Sequence, residues 1–318
     1  MSRWLKRPRI PFALLLATVL LIAEIVVQPS FIKPGNWSGE LAVLAPFAIL
    51  AMASTPSVLS GGGGIDLTIG PLATVVNCIF VTWLLPHGWG PGESVAVLLV
   101  VGAGVGAING TLIGKLRYQP VVATLCGYFI LAGVALEIAS NPSSLPTNWT
   151  SHLAGTVGFL PGPLITIAVP LILWGLLGRT SYLRTLYAVG GDDASAYSAG
   201  VDVVRVRILA YTLGGLLAAV GGIALTALIQ TSTAAASSQY ALLAVAGVAL
   251  GGTSFAGGRG GMFTSLLGAF CIFMITQLLS SANVGSSYEQ IVYGALLIIG
   301  VVLGARLPRG LALRRVTA

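Results

Sequence analysis

The chain has 318 residues with 16 Lys and Arg and 9 Asp and Glu, so that 8% are charged, while 56% are hydrophobic. Soluble domains carry about 25% charge, and a chain this poor in charge cannot cover a water-facing surface. The apolar runs are about 20 residues long and do not alternate, which excludes a β-barrel and leaves helices that satisfy their own backbone groups in lipid.

The reading predicts an all-α, polytopic helical membrane protein of about ten transmembrane helices. In chain order the spans are 10–27, 41–59, 65–85, 93–114, 120–139, 161–178, 208–229, 240–254, 261–280 and 288–304. The basic start, Met1 to Arg9, resembles a signal peptide, but the apolar run continues through Ile25 and Val27 without a small-x-small cleavage site, so it is read as a retained first span. With ten spans both termini share a side, and of the 16 basic residues only Lys33 falls opposite. The positive-inside rule makes that side cytoplasmic. The net charge of +7 is therefore an orientation signal spread over separate loops, and no nucleic-acid partner is implied.

Between the second and third spans stands Ser60-Gly61-Gly62-Gly63-Gly64-Ile65-Asp66-Leu67-Thr68-Ile69-Gly70. Four consecutive glycines break a helix, and broken backbone at membrane depth survives only against protein or a water-filled cavity. Two roles fit Asp66: an N-terminal cap of the following helix, or a polar group lining a permeation path. In the fourth span Gly102, Gly104, Gly106, Gly110 and Gly114 allow close helix packing, and Asn109 on that face either bonds across helices or faces the path. A second glycine-rich hairpin, Gly251 to Gly261, divides the eighth and ninth spans.

The longest charged connection is 179–207. Gly190 and Gly191 permit a tight turn, Asp192 and Asp193 mark the start of a short helix that Asp193 can cap, and Gly200 stops it. Such a helix is either a solvated connector or a docking knob for another protein, with Tyr197 as an anchor. Cys78, Cys126 and Cys271 lie singly in apolar runs and are read as small buried residues; His87 and His152 belong to loops. No metal site and no catalytic site is expected from them. Neither glycine cluster ends in the Gly-Lys-Ser/Thr of a phosphate-binding loop, so no ATP hydrolysis by this chain alone is expected.

Several motifs, in order and at consistent spacing, resemble those of the membrane permease subunit of bacterial ribose-type ABC sugar importers. They are Gly63 to Gly70, similar to GGIDLSVG; Gln119 to Leu125, a proline-led helix start; Gly190 to Val201, similar to the loop that docks on the ATPase subunit; Ala244 to Gly258, similar to AIAAVVLGGTSLxGG; and Ser286 to Val292. This chain departs from the pattern at Ala241, where the family commonly has a carboxylate, and at Cys126. The resemblance implies one permease domain over 1–318 that works as a homodimer or with a homologous partner. It also implies two cytoplasmic ATP-binding subunits that hold ATP and Mg, and a periplasmic or lipid-anchored substrate-binding protein. It identifies Gly190, Gly191, Asp192, Asp193 and Gly200 as the coupling segment.

The translocation path is read on Asp66, Thr68, Asn77, Asn109, Thr124 and Tyr128, with Thr226 nearby. These are mostly neutral hydroxyl and amide groups, which suit an uncharged polyol better than a zwitterion. The alternatives are a branched-chain amino acid ABC permease, an ion-coupled secondary transporter resting on Asp66, and a membrane prenyltransferase resting on Asp192, Asp193 and Asp202.

Overall fold

The computed structural model describes residues 9–140, 144, 149–158, 160–235 and 237–282, with isolated positions between 288 and 298. The basic start before Arg9, most of the expected tenth span and the basic residues Arg306 to Arg315 lie outside the described residues.

Helices occupy the nine expected positions that fall inside. They are α1 (Arg9–Val27), α2 (Trp37–Leu59), α3 (Ile69–Ile79, extended by a π turn over Phe80–Leu84), α4 (Pro91–Gly114) and α5 (Pro120–Ile138). After a short outer segment with α6 (Ser151–Ala154) and the two-residue strands β1 (Thr156–Val157) and β2 (Leu160–Pro161) comes α7 (Gly162–Leu177). Two helices the spans do not include, α8 (Ser181–Gly191) and α9 (Asp193–Ser198), precede α10 (Val203–Ile229), α11 (Ser237–Leu250) and α12 (Met262–Ser281).

Among the described residues five helical stretches are by themselves long and apolar enough to cross a membrane: Pro34–Leu59, Pro91–Gly114, Pro120–Ile138, Val203–Ile229 and Met262–Ser281. The fold is that of a polytopic helical membrane protein. Two expected spans are trimmed where they border a glycine hairpin. The turn that Asp66 makes with Thr68 holds back the start of α3 to Ile69, and Gly251 and Gly252 follow the end of α11 at Leu250, each glycine costing a helix about 1 kcal/mol.

The centre is α2 and α10. Helix α2 is buried from Leu44 through Leu59, and α10 from Leu217 through Leu225, with α3, α11 and α12 packed around them. The outer helices α1, α4 and α5 present apolar residues outward, such as Leu15, Val19, Ile22, Val100, Ile108, Phe129 and Ile130, an apolar surface unsuited to water. Cys78 and Cys271 are buried as expected, but Cys126 is exposed. It sits on α5, which packs chiefly on α3 and turns its other faces outward.

The tightest pairing is α4 against α10. A Cβ on Gly102 would stand 2.4 Å from the Gly215 carbonyl, and one on Gly106 2.3 Å from that of Tyr211. The backbones touch there, and the expected close packing is realised with α10 as the partner, except at Gly104, which has open space where a side chain would stand.

Candidate functional site

The two glycine hairpins and the 179–207 connection meet at one place. Gly61, Gly62 and Gly63 take positive φ angles of +76, +64 and +72°, a left-handed run that only glycine adopts cheaply. The turn brings Gly61 against Gly190 at the end of α8: a Cβ on Gly61 would lie 2.9 Å from the Gly190 Cα. The second hairpin closes the junction. The Gly258 N–H donates to the Leu59 carbonyl at 3.1 Å, and the Tyr187 hydroxyl of α8 donates to the Gly260 carbonyl at 2.9 Å. Thr253 locks that hairpin to α12, its hydroxyl 3.1 Å from Thr264 and 3.4 Å from Ser265, while Thr55 of α2 donates to Ser265 at 2.8 Å.

The connection itself turns sharply. Helices α7 and α8 meet at 89°, so α8 lies across the end of the bundle. Leu183, Leu186, Val189 and Gly190 form its buried face, a three-to-four spacing that was visible in the sequence as an amphipathic stretch. Helix α9 then projects away with Tyr197 exposed, between Asp192 and Gly200, whose φ of +82° ends it.

The capping assignment changes. Asp192, not Asp193, caps α9: its Oδ1 accepts from the Ser195 N–H at 3.0 Å and its Oδ2 from the Ser195 hydroxyl at 2.9 Å. These bonds, the backbone one foremost, hold the Asp192 carboxyl below the usual carboxylate range. Asp193 sits one residue too far into the helix to cap, and instead receives the Arg207 guanidinium at 2.9 Å, which ties α9 to α10. Gly191 has open space where a side chain would stand, so the demand for glycine falls on Gly190.

Arg207 also lies against Gly62, 3.1 Å from the position of a Cβ there. With Arg117, Tyr118 and Tyr197 it lines a cleft of about 1130 Å³ between α9, the α4–α5 turn and the first hairpin.

Behind Gly62 is a buried polar chain. Asp66 Oδ1 accepts from the Thr68 N–H at 2.9 Å and from the Thr68 hydroxyl at 2.5 Å, and Asn109 of α4 donates to that hydroxyl at 2.9 Å. Asp66 thus makes a turn two residues before α3, where Thr68 is the N-cap residue, rather than capping the helix itself. The Asp66 Oδ2 and the Tyr211 hydroxyl are buried without hydrogen-bond partners. Asn109 bonds across helices. Thr124 of α5 joins the group, its hydroxyl 3.2 Å from the Ile65 carbonyl and 2.9 Å from that of Pro120 in its own helix.

Asn77 and Thr226 lie apart from this group, toward the other end of α3 and α10. Asn77 donates to the Thr226 hydroxyl at 3.0 Å and to the Thr231 carbonyl at 3.2 Å, and its Oδ1 accepts from the Thr233 N–H at 3.3 Å. Tyr128 is half-buried on α5, edge-on to Phe129 at 5.3 Å, and joins neither set. The candidate residues therefore fall into an inner group, an outer group and an isolated tyrosine.

One group was passed over in the sequence. Glu24 lies in the middle of an apolar run, a signal in itself, and its side chain is fully buried. It faces Ser281 of α12 and Glu40 of α2.

The family model described as branched-chain amino acid transport system / permease component matches residues 39–301. The ribose import permease protein RbsC of Bacillus subtilis is 34% identical over 290 residues, covering 90% of this chain and 89% of the relative. The protein of the same name from Escherichia coli strain K12 is 31% identical over 91% of this chain and 92% of the relative. A fructose import permease protein, FrcC of Rhizobium meliloti, is 29% identical over 91% and 83%. No solved structure gives a significant match. A match of this extent places the multi-pass bundle, its two glycine hairpins and its α8–α9 connection in a known lineage: the chain belongs to the branched-chain amino acid transport system permease component family, alongside the ribose import permeases.

Proposed function

We propose that this chain is the membrane permease subunit of an ATP-binding cassette importer and that its cargo is a small neutral sugar. The observation that carries the reading is the similarity over some nine-tenths of the chain to permeases named for ribose import, with fructose and allose permeases among the further relatives. Apart from the Asp66 carboxylate, the polar groups of the two candidate clusters are hydroxyls and amides, which exchange hydrogen bonds with a polyol without stranding a charge.

In this reading the protein sits in the bacterial inner membrane with both termini cytoplasmic. It pairs with a second permease, two ATP-binding subunits that carry ATP and Mg, and a periplasmic or lipid-anchored binding protein. Helix α9, with Asp192, Asp193 and Gly200, rests on an ATP-binding subunit. Closure of the ATP-binding pair pushes on α9, and α8 passes the displacement through Gly190 to both glycine hairpins, while Arg207 passes it to α10. Those hairpins end α2 and α11 and begin α3 and α12, so a shift at one backbone junction reaches four helices flanking the path. Asp66, Thr68, Asn109 and Thr124 then form the inner part of the path, and Asn77, Thr226 and Tyr128 the outer part.

Reconstitution with the ATP-binding and binding-protein subunits tests this. ATP-dependent uptake of a labelled pentose or hexose is the expected result. Uptake of leucine or valine without sugar rejects the cargo and keeps the importer; uptake driven by an ion gradient without ATP rejects the importer.

A further inference from the structure

We propose that the outer ends of α1, α2 and α12 enclose a binding site for a hard divalent cation of the calcium type, with Glu24 and Glu40 as its carboxylate ligands. Glu24 is fully buried, and neither of its oxygens has a hydrogen-bond partner. Ser281 stands beside it, its hydroxyl 2.8 Å from the Gln28 side-chain amide. Glu40, half-buried, accepts from the Gln277 side-chain amide through one oxygen, which leaves its other oxygen free. Two carboxylates and a hydroxyl thus converge from three helices, with no cationic side chain paired to them among the described residues. The described ion pairs are Arg205 with Asp202 and Arg207 with Asp193, both at the opposite end, and Lys33 on this side is exposed and unpaired.

An unpaired buried carboxylate costs several kcal/mol, and a second carboxylate beside it adds repulsion. Something must neutralise the pair. One proton would settle one oxygen and leave the others facing each other, whereas a divalent cation neutralises both carboxylates and takes their oxygens and the Ser281 hydroxyl as ligands. The donor set is oxygen only, which selects a hard ion, and its irregular placement on three helices suits calcium, which tolerates variable geometry, over magnesium, which demands a near-ideal octahedron. The half-exposed Glu40 gives the ion access from outside. Neither His nor Cys contributes, and the ligands are far apart in sequence, which is why a search for metal-ligand spacing along the chain passes over them. Bound there, the ion staples the peripheral α1 to the α2–α12 core.

The test is calcium binding by the purified full-length permease after chelator treatment, measured by equilibrium dialysis with labelled calcium and by thermal unfolding. The expected result is about one saturable site per chain, with an affinity in the range of about 0.1–1 mM typical of extracellular sites and a rise in Tm with calcium that magnesium does not reproduce. Glu24→Gln and Glu40→Gln each weaken binding about tenfold or more, and Glu137→Gln, a carboxylate on α5, leaves it unchanged. Wild-type protein without calcium-dependent binding or Tm shift overturns the proposal whatever the variants do. So does binding that survives both Gln substitutions, or a Glu24→Gln variant that is more stable than a calcium-insensitive wild type, which would show that the site holds a buried proton.

Discussion

The Leu59 carbonyl at the end of α2 accepts the Gly258 N–H at 3.1 Å, and the backbone of Gly190 fills the space beside that bond so closely that a Cβ on Gly190 would lie on the Leu59 oxygen. Three segments remote in sequence thus share one backbone contact. Gly190→Ala is expected to force them apart, at a cost of about 1–3 kcal/mol, and to abolish uptake while the protein still inserts. Gly191→Ala, with open space around it, is expected to transport as wild type. Uptake and ATPase stimulation in the reconstituted complex, with detergent monodispersity as the folding check, separate the two.

The ion pair between Asp193 and Arg207 is partly exposed and worth at most about 1 kcal/mol, so its weight is in position rather than stability. Asp193→Ala is expected to leave expression and basal ATPase near wild type and to lower the uptake obtained per ATP hydrolysed. The exchange of the two charges, Asp193→Arg with Arg207→Asp, is expected to recover part of that ratio. Equal uptake per ATP in wild type and Asp193→Ala would rule out this link between α9 and α10.

Asp192 carries a pH signature. Its carboxyl titrates below the usual range because the folded state bonds the ionised form, so the cap is fully present above the ordinary carboxylate pKa and is lost only as pH falls through the lowered one. Amide hydrogen exchange over 193–199 is expected to be flat from pH 8 to about pH 5, after correction for intrinsic rates, and protection is expected to fall at more acidic pH. In Asp192→Ala protection is expected to be low throughout.

The α4–α10 contact discriminates between neighbouring glycines. Gly106→Leu is expected to fail to assemble, since its first side-chain atom would stand 2.3 Å from the Tyr211 carbonyl, while Gly104→Leu, which has nothing within 4 Å, is expected to insert and transport. Yield of monodisperse protein reads out both.

The turn before α3 rests on an acceptor rather than on a charge. Asp66→Asn keeps an oxygen for the Thr68 N–H and hydroxyl and is expected to retain most stability, whereas Asp66→Ala forfeits both bonds, at about 2–3 kcal/mol. Thermal unfolding in detergent ranks the two. If transport also survives Asp66→Asn, a proton or ion coupled through Asp66 is excluded.

For orientation, single cysteines at Asn36, Trp89 and Ser151, introduced after Cys126→Ser removes the exposed native thiol, are expected to react with an impermeant reagent from outside. A cysteine at Ser195 is expected to react only after permeabilisation.

The sequence by itself determined the solvent of this protein and the places where its helices lie, because a run of about 20 apolar residues has only one way to satisfy its backbone in lipid and glycine runs end it locally. The Asp192 to Gly200 helix was legible for the same reason: caps and stops act within four residues. What lay beyond was decided by the tertiary structure. Which aspartate caps and which pairs with Arg207 depends on where α10 passes, and the need for glycine falls on Gly190, not Gly191, only because Leu59 and Gly258 arrive there. Glu24 drew no role from its place in an apolar run, since nothing local shows that Glu40 and Ser281 fold against it. Hydrophobic patterning fixes each helix face toward lipid or toward protein, but neighbours are chosen by contacts between segments far apart in the chain, and a backbone carbonyl that meets a glycine leaves no mark in either segment alone.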